Sequence, residues 1–404
     1  MKYDDLLFWI WLAEALGPDS PDFRYLIDLY QTPYDVFCAE SAELERIEGL
    51  SPRAAQALSD KNLQNAEEIL GACQRLGIGV MTYPSPLYPK LLREIKRPPV
   101  LLYYAGAVPD WEHRLCIGMV GTRKMSAYGM EAAYKISYEL ARANAVVVSG
   151  MAAGIDGVCA AAALLANGST VAVLGCGLDR AYPRHHGLLM KEIGAHGLLL
   201  SEYPPGTRPL YYHFPVRNRI ISGISHGVVV VEAGVGSGSL ITAGEAIAQG
   251  RDVFAVPSGS GANDAGGANG LLRDGAIFTT NADDICRRYA YLFAETLRRE
   301  PNEAPPEVDR AYLKRIGVLE LSGDVPGNCR NAAPDAPDAG SAEACRDASA
   351  ARAKGTTSAA RRRAKTVARG ADSGASDAVA CRPALVLPHA LASTNRETVT
   401  DAAM

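Results

Sequence analysis

The stretch Ile117-Gly-Met-Val-Gly-Thr-Arg-Lys-Met-Ser-Ala-Tyr-Gly129 decides the fold, because it reads as a strand, a glycine turn and the start of a helix. Its apolar residues run without strict alternation, which is typical of a strand covered on both faces. The turn at Gly121 lets the backbone approach a ligand closely, and the following helix directs its positive N-terminal end to the same place. We therefore expect an anion site at the end of this strand.

The same pattern recurs along the middle of the chain, after a proline-rich connection at 83–92. Short apolar runs alternate with helical patterns. Continuous apolar strands joined by helices predict an α/β fold with a doubly wound, mostly parallel sheet. The predicted strands are 98–104, 115–120, 145–149, 170–174, 197–201, 227–231 and 252–256.

Composition divides the chain into three parts. Residues 1–79 carry helical patterns and predict a small all-α domain, and 80–300 hold the doubly wound domain. Residues 301–404 are rich in Ala, Asp and Arg and poor in large apolar side chains, so burial cannot offset the entropy of ordering them. We expect a low-complexity, mostly disordered tail, whose basic run 361–365 is either a solvated segment or a non-specific phosphate contact.

Two short helices around Gly49 form the most informative part of the N-terminal region. Leu50 fills the turn, Ser51 is expected to cap the second helix, and Pro52 occupies its first position. This spacing fits a helix-hairpin-helix whose turn amides contact a DNA phosphate. It fits an ordinary helical hairpin that only packs equally well.

The net charge of −4 and the pI near 6.0 exclude a protein that coats nucleic acid through a global positive field. A nucleic-acid site must therefore be local. From Tyr203 to Val231 there is no acidic residue, and between Glu112 and Glu131 the only charges are Arg114, Arg123 and Lys124.

We expect a soluble, cytoplasmic protein without a metal or a cofactor. The apolar run 6–16 follows two aspartates and is interrupted by Glu14, so it predicts an amphipathic helix and not a signal peptide. No apolar stretch approaches the length that crosses a bilayer. The nine cysteines are scattered without a C-x-x-C pair, which indicates reduced, unligated thiols.

In a doubly wound sheet, ligands bind beyond the carboxyl ends of the strands, so the loops there are the candidate site. Arg123 and Lys124 suit a phosphodiester, because a guanidinium fork holds two phosphate oxygens. Arg184 offers a second phosphate contact, and Tyr182 a stacking or wall residue. Phe214 supplies an apolar face for an unstacked base.

Several polar residues in these loops have a structural alternative. Asp156 is expected to cap the helix that follows it. Arg217 and Asn218 are placed at a helix start beside Phe214.

Arg219 is expected to clamp the neighbouring carboxylates Glu202 and Glu232. The Gly/Ser-rich turn that contains Ser237 and Ser239 predicts another cradle of backbone amides for an anion.

Seven motifs in this order resemble the DNA-processing protein A (DprA/Smf) family. They span residues 83 to about 289 and read I-G-M-V-G-T-R-K-x-S-x-Y-G, S-G-M-A-x-G-I-D, V-L-G-C-G-L-D-x-x-Y-P, L-S-E-Y-P-P-G-T, F-P-x-R-N-R-I-I, V-V-V-E-A-x-x-x-S-G-S-L-I-T-A and G-R-D-V-F-A-V-P. The N-terminal helices resemble the small SAM-like domain that often precedes the core in that family.

The resemblance implies an extended Rossmann fold, a homodimer, and single-stranded DNA bound in a basic pocket. It also implies delivery of that strand to the RecA recombinase in natural transformation or related recombination. Gly121, Thr122 and Arg123 would hold one phosphate, and Arg184, where the family commonly has lysine, another. The full set of candidate DNA-binding residues is Gly121, Thr122, Arg123, Lys124, Ser126, Ser149, Gly150, Tyr182, Arg184, Phe214, Arg217 and Asn218.

Two departures from the family pattern stand out. Ala160 occupies a position where the family commonly has histidine, and the low-complexity tail stands where many members have a winged helix.

Two alternative functions remain. The first is an enzyme related to nucleoside-monophosphate phosphoribohydrolases, with Glu232 as general acid or base and Glu202 as its partner. The turn after Glu232 lacks a further acidic residue until Glu245, so the catalytic spacing is wrong. The second is a scaffold whose core is inert. We expect a protein that binds single-stranded DNA without catalysis.

Overall fold

The computed structural model describes residues 3–258, 265–298 and 305–319. Within these ranges, six helices precede the first strand of the sheet. Ser51 and Pro52 begin the fifth helix as predicted, and the Ser51 hydroxyl caps it by accepting a hydrogen bond from the amide of Ala54. The six are α1 (Tyr3–Leu16), α2 (Asp22–Tyr30), α3 (Pro33–Cys38), α4 (Ser41–Leu44), α5 (Pro52–Ser59) and α6 (Gln64–Leu76).

The sheet contains nine strands within the described ranges, in the order β1-β2-β6-β5-β4-β3-β7-β8-β9. Seven neighbouring strands, from β6 to β9, are parallel, whereas β1 and β2 join one edge in antiparallel fashion. The strands are β1 (Gly79–Thr82), β2 (Leu101–Gly106), β3 (Cys116–Val120), β4 (Val146–Ser149), β5 (Ser169–Leu174), β6 (Leu198–Ser201), β7 (Gly227–Val230), β8 (Asp252–Ala255) and β9 (Ile277–Phe278).

Helices cover both faces of this sheet. Alternate residues of one strand face opposite ways: Ile117 and Met119 of β3 lie in one apolar core, and Cys116 and Val120 in the other. The covering helices are α7 (Lys90–Glu94), α8 (Ala127–Arg142), α9 (Ile155–Leu165), α10 (Gly187–His196), α11 (His213–Gly223), α12 (Gly238–Ala248), α13 (Ala265–Arg273) and α14 (Ala282–Tyr289). The predicted doubly wound, mostly parallel fold is confirmed.

The strands β1 and β9 and the helix α7 are absent from the sequence-based expectation. Of the predicted tail the structure describes residues 305–319, where α15 (Arg310–Arg315) buries Leu313 against the core. The rest of 301–404, including the basic run 361–365, lies outside the described residues. In the described part of the chain, no helix combines the length and apolarity needed to cross a bilayer.

Candidate functional site

A cleft of about 310 Å³ lies at the carboxyl ends of β3 and β7. From β3 the chain winds through β4, β5 and β6 on one side and continues with β7, β8 and β9 on the other. This change of direction opens the crevice in which doubly wound folds bind ligands. The lining residues are Val120, Gly121, Arg123, Ala152, Asp156, Tyr211, Phe214, Pro215, Arg217, Asn218, Ile221, Ser237, Gly238, Ser239, Ile241 and Thr242.

Two arginines contact the Phe214 ring in this cleft. The guanidinium carbon of Arg123 lies 5.6 Å from the ring centroid and that of Arg217 lies 5.9 Å from it. Tyr182 packs on the same ring with 4.9 Å between centroids. Arg123 is exposed, so its guanidinium is free to reach a ligand phosphate while the ring orients it.

Arg217 holds the floor of the cleft together. Its guanidinium donates to the carbonyl oxygens of Gly150, at 2.8 Å, and Val173, and Nε donates to the Asn218 side chain at 3.2 Å. A Cβ at Gly150 would collide with this guanidinium, so glycine is required there. Arg217 and Asn218 lie in the second turn of α11, not at its start as expected, because the helix already begins at His213.

Asp156 does not cap α9, contrary to expectation. Gly154 is the N-cap residue, and Asp156 lies in the first turn, where its Oδ2 accepts from the amides of Gly150 at 3.2 Å and Ala152 at 3.4 Å. The carboxylate thus closes the loop after β4 back onto the helix. Burial raises the pKa of Asp156, and the charge of Arg217 opposes that shift.

Glu232 anchors the loop after β3. It was expected to pair with Arg219, but its side chain binds Ser126 of that loop. Its carbonyl oxygen accepts from the amide of Thr122 at 2.8 Å, and its Oε2 accepts from the amide of Ser126 at 3.0 Å. Ser126 in turn caps α8, since its hydroxyl accepts from the amide of Gly129 at 2.9 Å. The loop that carries Arg123 is therefore fixed at both ends.

Arg219 forms the expected clamp with Glu202, at 2.6 Å, but its second partner is Asp19 at 2.8 Å. Glu232 is unavailable because it is engaged with the loop after β3. Asp19 lies after α1 and also pairs with Arg97 at 2.8 Å. The clamp thus connects the N-terminal helices to the sheet, which nothing in the sequence pattern indicated.

The structure brings eight of the predicted residues to the cleft wall: Gly121, Arg123, Asp156, Phe214, Arg217, Asn218, Ser237 and Ser239. Ser237 caps α12, and its hydroxyl lies 2.8 Å from that of Ser239.

The other predicted residues lie beside or beneath this wall. Lys124 and Ser126 are exposed in the loop that carries Arg123, and Arg184 is also exposed. Thr122 supports the turn by accepting from the amide of Lys124 at 3.2 Å. Ser149 is buried and donates to the carbonyl oxygen of Met119 at 2.8 Å.

Tyr211 is a cleft residue that the sequence reasoning missed. Its side chain is 77% exposed, and it lies edge-on to Tyr212 with 5.3 Å between ring centroids. An exposed aromatic ring beside an arginine-bearing cleft is a stacking surface for an unpaired base. The sequence feature that could have indicated it is the pair Tyr211-Tyr212 in the segment from Tyr203 to Val231, which contains no acidic residue.

The turn of the helical hairpin is less suited to a phosphate. The Ser51 hydroxyl donates to the buried carboxylate of Asp22 at 2.8 Å, which places a negative charge beside the turn. This arrangement favours the packing alternative over a helix-hairpin-helix DNA contact.

Comparison with known proteins matches this architecture. The family described as DNA recombination-mediator protein A matches residues 79–290. DNA processing protein DprA of Bacillus subtilis is 43% identical over 217 residues, which are 54% of this chain and 73% of the relative. Protein Smf of Synechocystis is 36% identical over 326 residues, 80% of this chain and 82% of the relative.

The X-ray structure of DNA processing protein A from Streptococcus pneumoniae superimposes with a TM-score of 0.62 at 32% identity, and the alignment covers 72% of this chain and 99% of that one. These matches confirm the resemblance that the seven motifs predicted. The chain belongs to the DNA recombination-mediator protein A family, together with the DprA and Smf proteins.

Proposed function

We propose that the cleft binds single-stranded DNA and that the chain protects the strand and loads the RecA recombinase onto it. The observation that carries the proposal is the exposed guanidinium of Arg123 held over Phe214 at the rim of the cleft, with Tyr211 exposed on the same wall. The cation suits a phosphate and the neighbouring rings suit an unstacked base, and an unpaired strand offers both of these groups together. A duplex keeps its bases stacked and cannot use the rings.

The positions of the glutamates disfavour the hydrolase alternative. Glu232 is 5% exposed, and its Oε2 is engaged with Ser126. Glu202 is bound to Arg219 and does not line the cleft. A general acid or base has to reach the substrate, and neither carboxylate faces this cleft. The family assignment as a recombination mediator agrees with binding without catalysis.

The partners follow from the resemblance and from the family. A homodimer, a RecA-docking surface and a cytoplasmic location belong to this proposal, as does the division into domains 1–79, 80–300 and 301–404. The roles of Thr122, Lys124, Ser126 and Arg184 as additional phosphate contacts also belong to it.

The test is a fluorescence-anisotropy titration of labelled oligothymidine and a matched duplex at two salt concentrations. The wild type should prefer the single strand, with an affinity that falls as salt rises. Arg123→Ala should weaken binding by about tenfold or more, because it removes a charge-assisted phosphate contact. Tyr211→Ala should lower the affinity by removing a stacked base, a loss of about 1–3 kcal/mol.

Arg53→Ala is the matched control, since Arg53 is an exposed arginine on α5, the second helix of the helical hairpin. It removes the same charge and should leave the affinity within twofold of wild type. Binding that collapses in Arg53→Ala and survives in Arg123→Ala would move the site to the hairpin. Release of free base from a nucleoside monophosphate would replace the proposal with the hydrolase.

A further inference from the structure

The floor of the candidate DNA cleft carries one hydrogen-bond acceptor and one donor that no protein group engages within the described residues. The acceptor is Oδ1 of Asp156, because only Oδ2 binds the amides of Gly150 and Ala152. The donor is Nη2 of Arg217, because Nε and Nη1 make all the hydrogen bonds of that side chain. The floor therefore keeps one acceptor and one donor for a ligand.

Both free atoms can be contacted from the cleft. Only 6% of Asp156 and 4% of Arg217 is exposed, yet both residues line the cleft, and neither free atom is fully enclosed. The remaining atoms of each polar group are hydrogen-bonded to the fold, which holds the two side chains in place. A ligand that supplies a donor to one and an acceptor to the other gains hydrogen bonds to partners that are already ordered.

We infer that this floor reads the edge of one base of the bound strand and favours guanine, an inference that rests on the proposed function. A phosphate has acceptor atoms only, so it would satisfy Arg217 and be repelled by Asp156. The edge of a base carries donors and acceptors side by side, and an unpaired base is free to present that edge. The floor therefore suits a base, whereas the exposed Arg123 at the rim suits the phosphate.

Guanine matches the floor better than the other bases do. Its Watson–Crick edge has two adjacent N–H donors, at N1 and N2, next to the acceptor O6. The Asp156 Oδ1 atom has two lone pairs and accepts from both donors, while Arg217 Nη2 donates to O6. Each of the other three bases presents a single donor group on this edge, so it makes one hydrogen bond fewer to the carboxylate.

The experiment is a fluorescence-anisotropy titration of the full chain with three labelled single strands. They are a short oligothymidine, the same strand with one central guanine, and the same strand with one central hypoxanthine, which lacks the N2 amino group of guanine. Burial raises the pKa of Asp156, so pH 8 is used to favour its ionised form. The guanine strand should bind about tenfold more tightly than the other two, the factor for one further hydrogen bond to a charged group.

Asp156→Asn tests the carboxylate directly. The variant keeps a carbonyl oxygen for the amides of Gly150 and Ala152 and replaces Oδ1 by an NH2 group, which cannot accept. It should bind oligothymidine at least as tightly as the wild type, because a negative charge near the strand is removed, and it should lose the preference for guanine. Asp28→Asn, on the exposed part of α2, removes the same charge and should keep the preference.

The inference is overturned if the wild type binds the three strands equally, or if Asp156→Asn keeps the preference for guanine. A loss of affinity for all three strands alike in Asp156→Asn would give the carboxylate a purely structural role. Equal binding of the three strands by the wild type would leave the proposed function intact, whereas no binding to any strand would refute both. The comparison of strands with the wild type does not depend on whether Asp156→Asn folds.

Discussion

Arg123 and Arg217 are one residue type used in two ways at the same ring. Arg123 is exposed and its guanidinium lies over the Phe214 ring, whereas Arg217 is 4% exposed and donates to the carbonyl oxygens of Gly150, in the loop after β4, and of Val173, in β5. A guanidinium that is mostly engaged inside the fold positions its neighbours, and one that faces solvent has more donors left for a ligand. Sequence alone gave both arginines the same role, because the spacing of a motif does not record burial.

The buried His186 is expected to make the stability of the protein depend on pH. Its Nδ1 lies 3.0 Å from the carbonyl oxygen of Met151, and burial lowers its pKa from 6.5 to about 4. The unfolded chain therefore takes up the proton first, so stability is full above pH 6.5 and falls between 6.5 and about 4. At pH 5 the loss relative to pH 7 is about 2 kcal/mol for this group.

His226 behaves in the same way, since burial lowers its pKa to about 4 as well. The variant His186→Asn removes one of these two titrating side chains and keeps a donor for the carbonyl oxygen of Met151. Urea unfolding at pH 7 and pH 5 should show that this variant loses about 2 kcal/mol less on acidification than the wild type does. An unchanged pH dependence would show that His186 is not protonated on unfolding.

At the scale of elements, the loop after β3 is held by the start of α8. Glu232 accepts from Ser126, and the backbone of Gly129 passes directly against that carboxylate. A side chain at Gly129 has no room, because its Cβ would overlap Glu232 Oε2. The start of α8 and the loop that carries Arg123 are thus one packed unit.

Gly129→Ala is accordingly expected to destabilise the protein by about 1–3 kcal/mol, the usual cost of overpacking, and to weaken single-stranded DNA binding. Gly244→Ala is the matched control, since Gly244 lies in α12 with open space around it. That change should stabilise the protein by about 0.5–1 kcal/mol. Chemical denaturation distinguishes the two, and equal effects of both variants would refute the packing argument.

The elements that sequence reasoning found are those with long apolar runs. All seven predicted strands are present, and their observed ends lie within two residues of the predicted ones, with one exception. The strand predicted to start at residue 98 starts at Leu101, as β2. The strands β1 and β9 were missed because four and two residues carry too little pattern. The capping role of Asp156 was wrong because the fold brings two amides of the loop after β4, those of Gly150 and Ala152, to its carboxylate, and sequence spacing does not show that contact.

At the scale of the molecule, the clamp of Arg219 with Asp19 and Glu202 joins segments that are 200 residues apart. Asp19 precedes the sheet in the sequence and Glu202 follows β6, so no local pattern predicts that both pair with Arg219. The Arg219 side chain is 3% exposed. Removal of Asp19 leaves the cluster with two cations, Arg219 and Arg97, and a single carboxylate, Glu202, and an excess charge in a largely buried cluster is the expensive case for an ion pair.

Asp19→Asn should therefore lower the free energy of unfolding by about 3 kcal/mol, measured by urea denaturation at pH 7. Asp283→Asn, which breaks the exposed pair with Arg287, should stay within about 0.5 kcal/mol of wild type. If the two variants are equally stable, the clamp contributes no more than a surface pair.

The helix α11 places two consecutive residues against different cavities: His213 lines a cavity of about 220 Å³ between the end of α1 and the connection from β6 to α11, and Phe214 lines the candidate DNA cleft. A molecule in either cavity would therefore lie against the first turn of the same helix. Whatever factor a ligand in the first cavity applied to the affinity of the cleft for its own ligand, the cleft ligand would apply in return, because the free energy of the doubly occupied state does not depend on the order of binding.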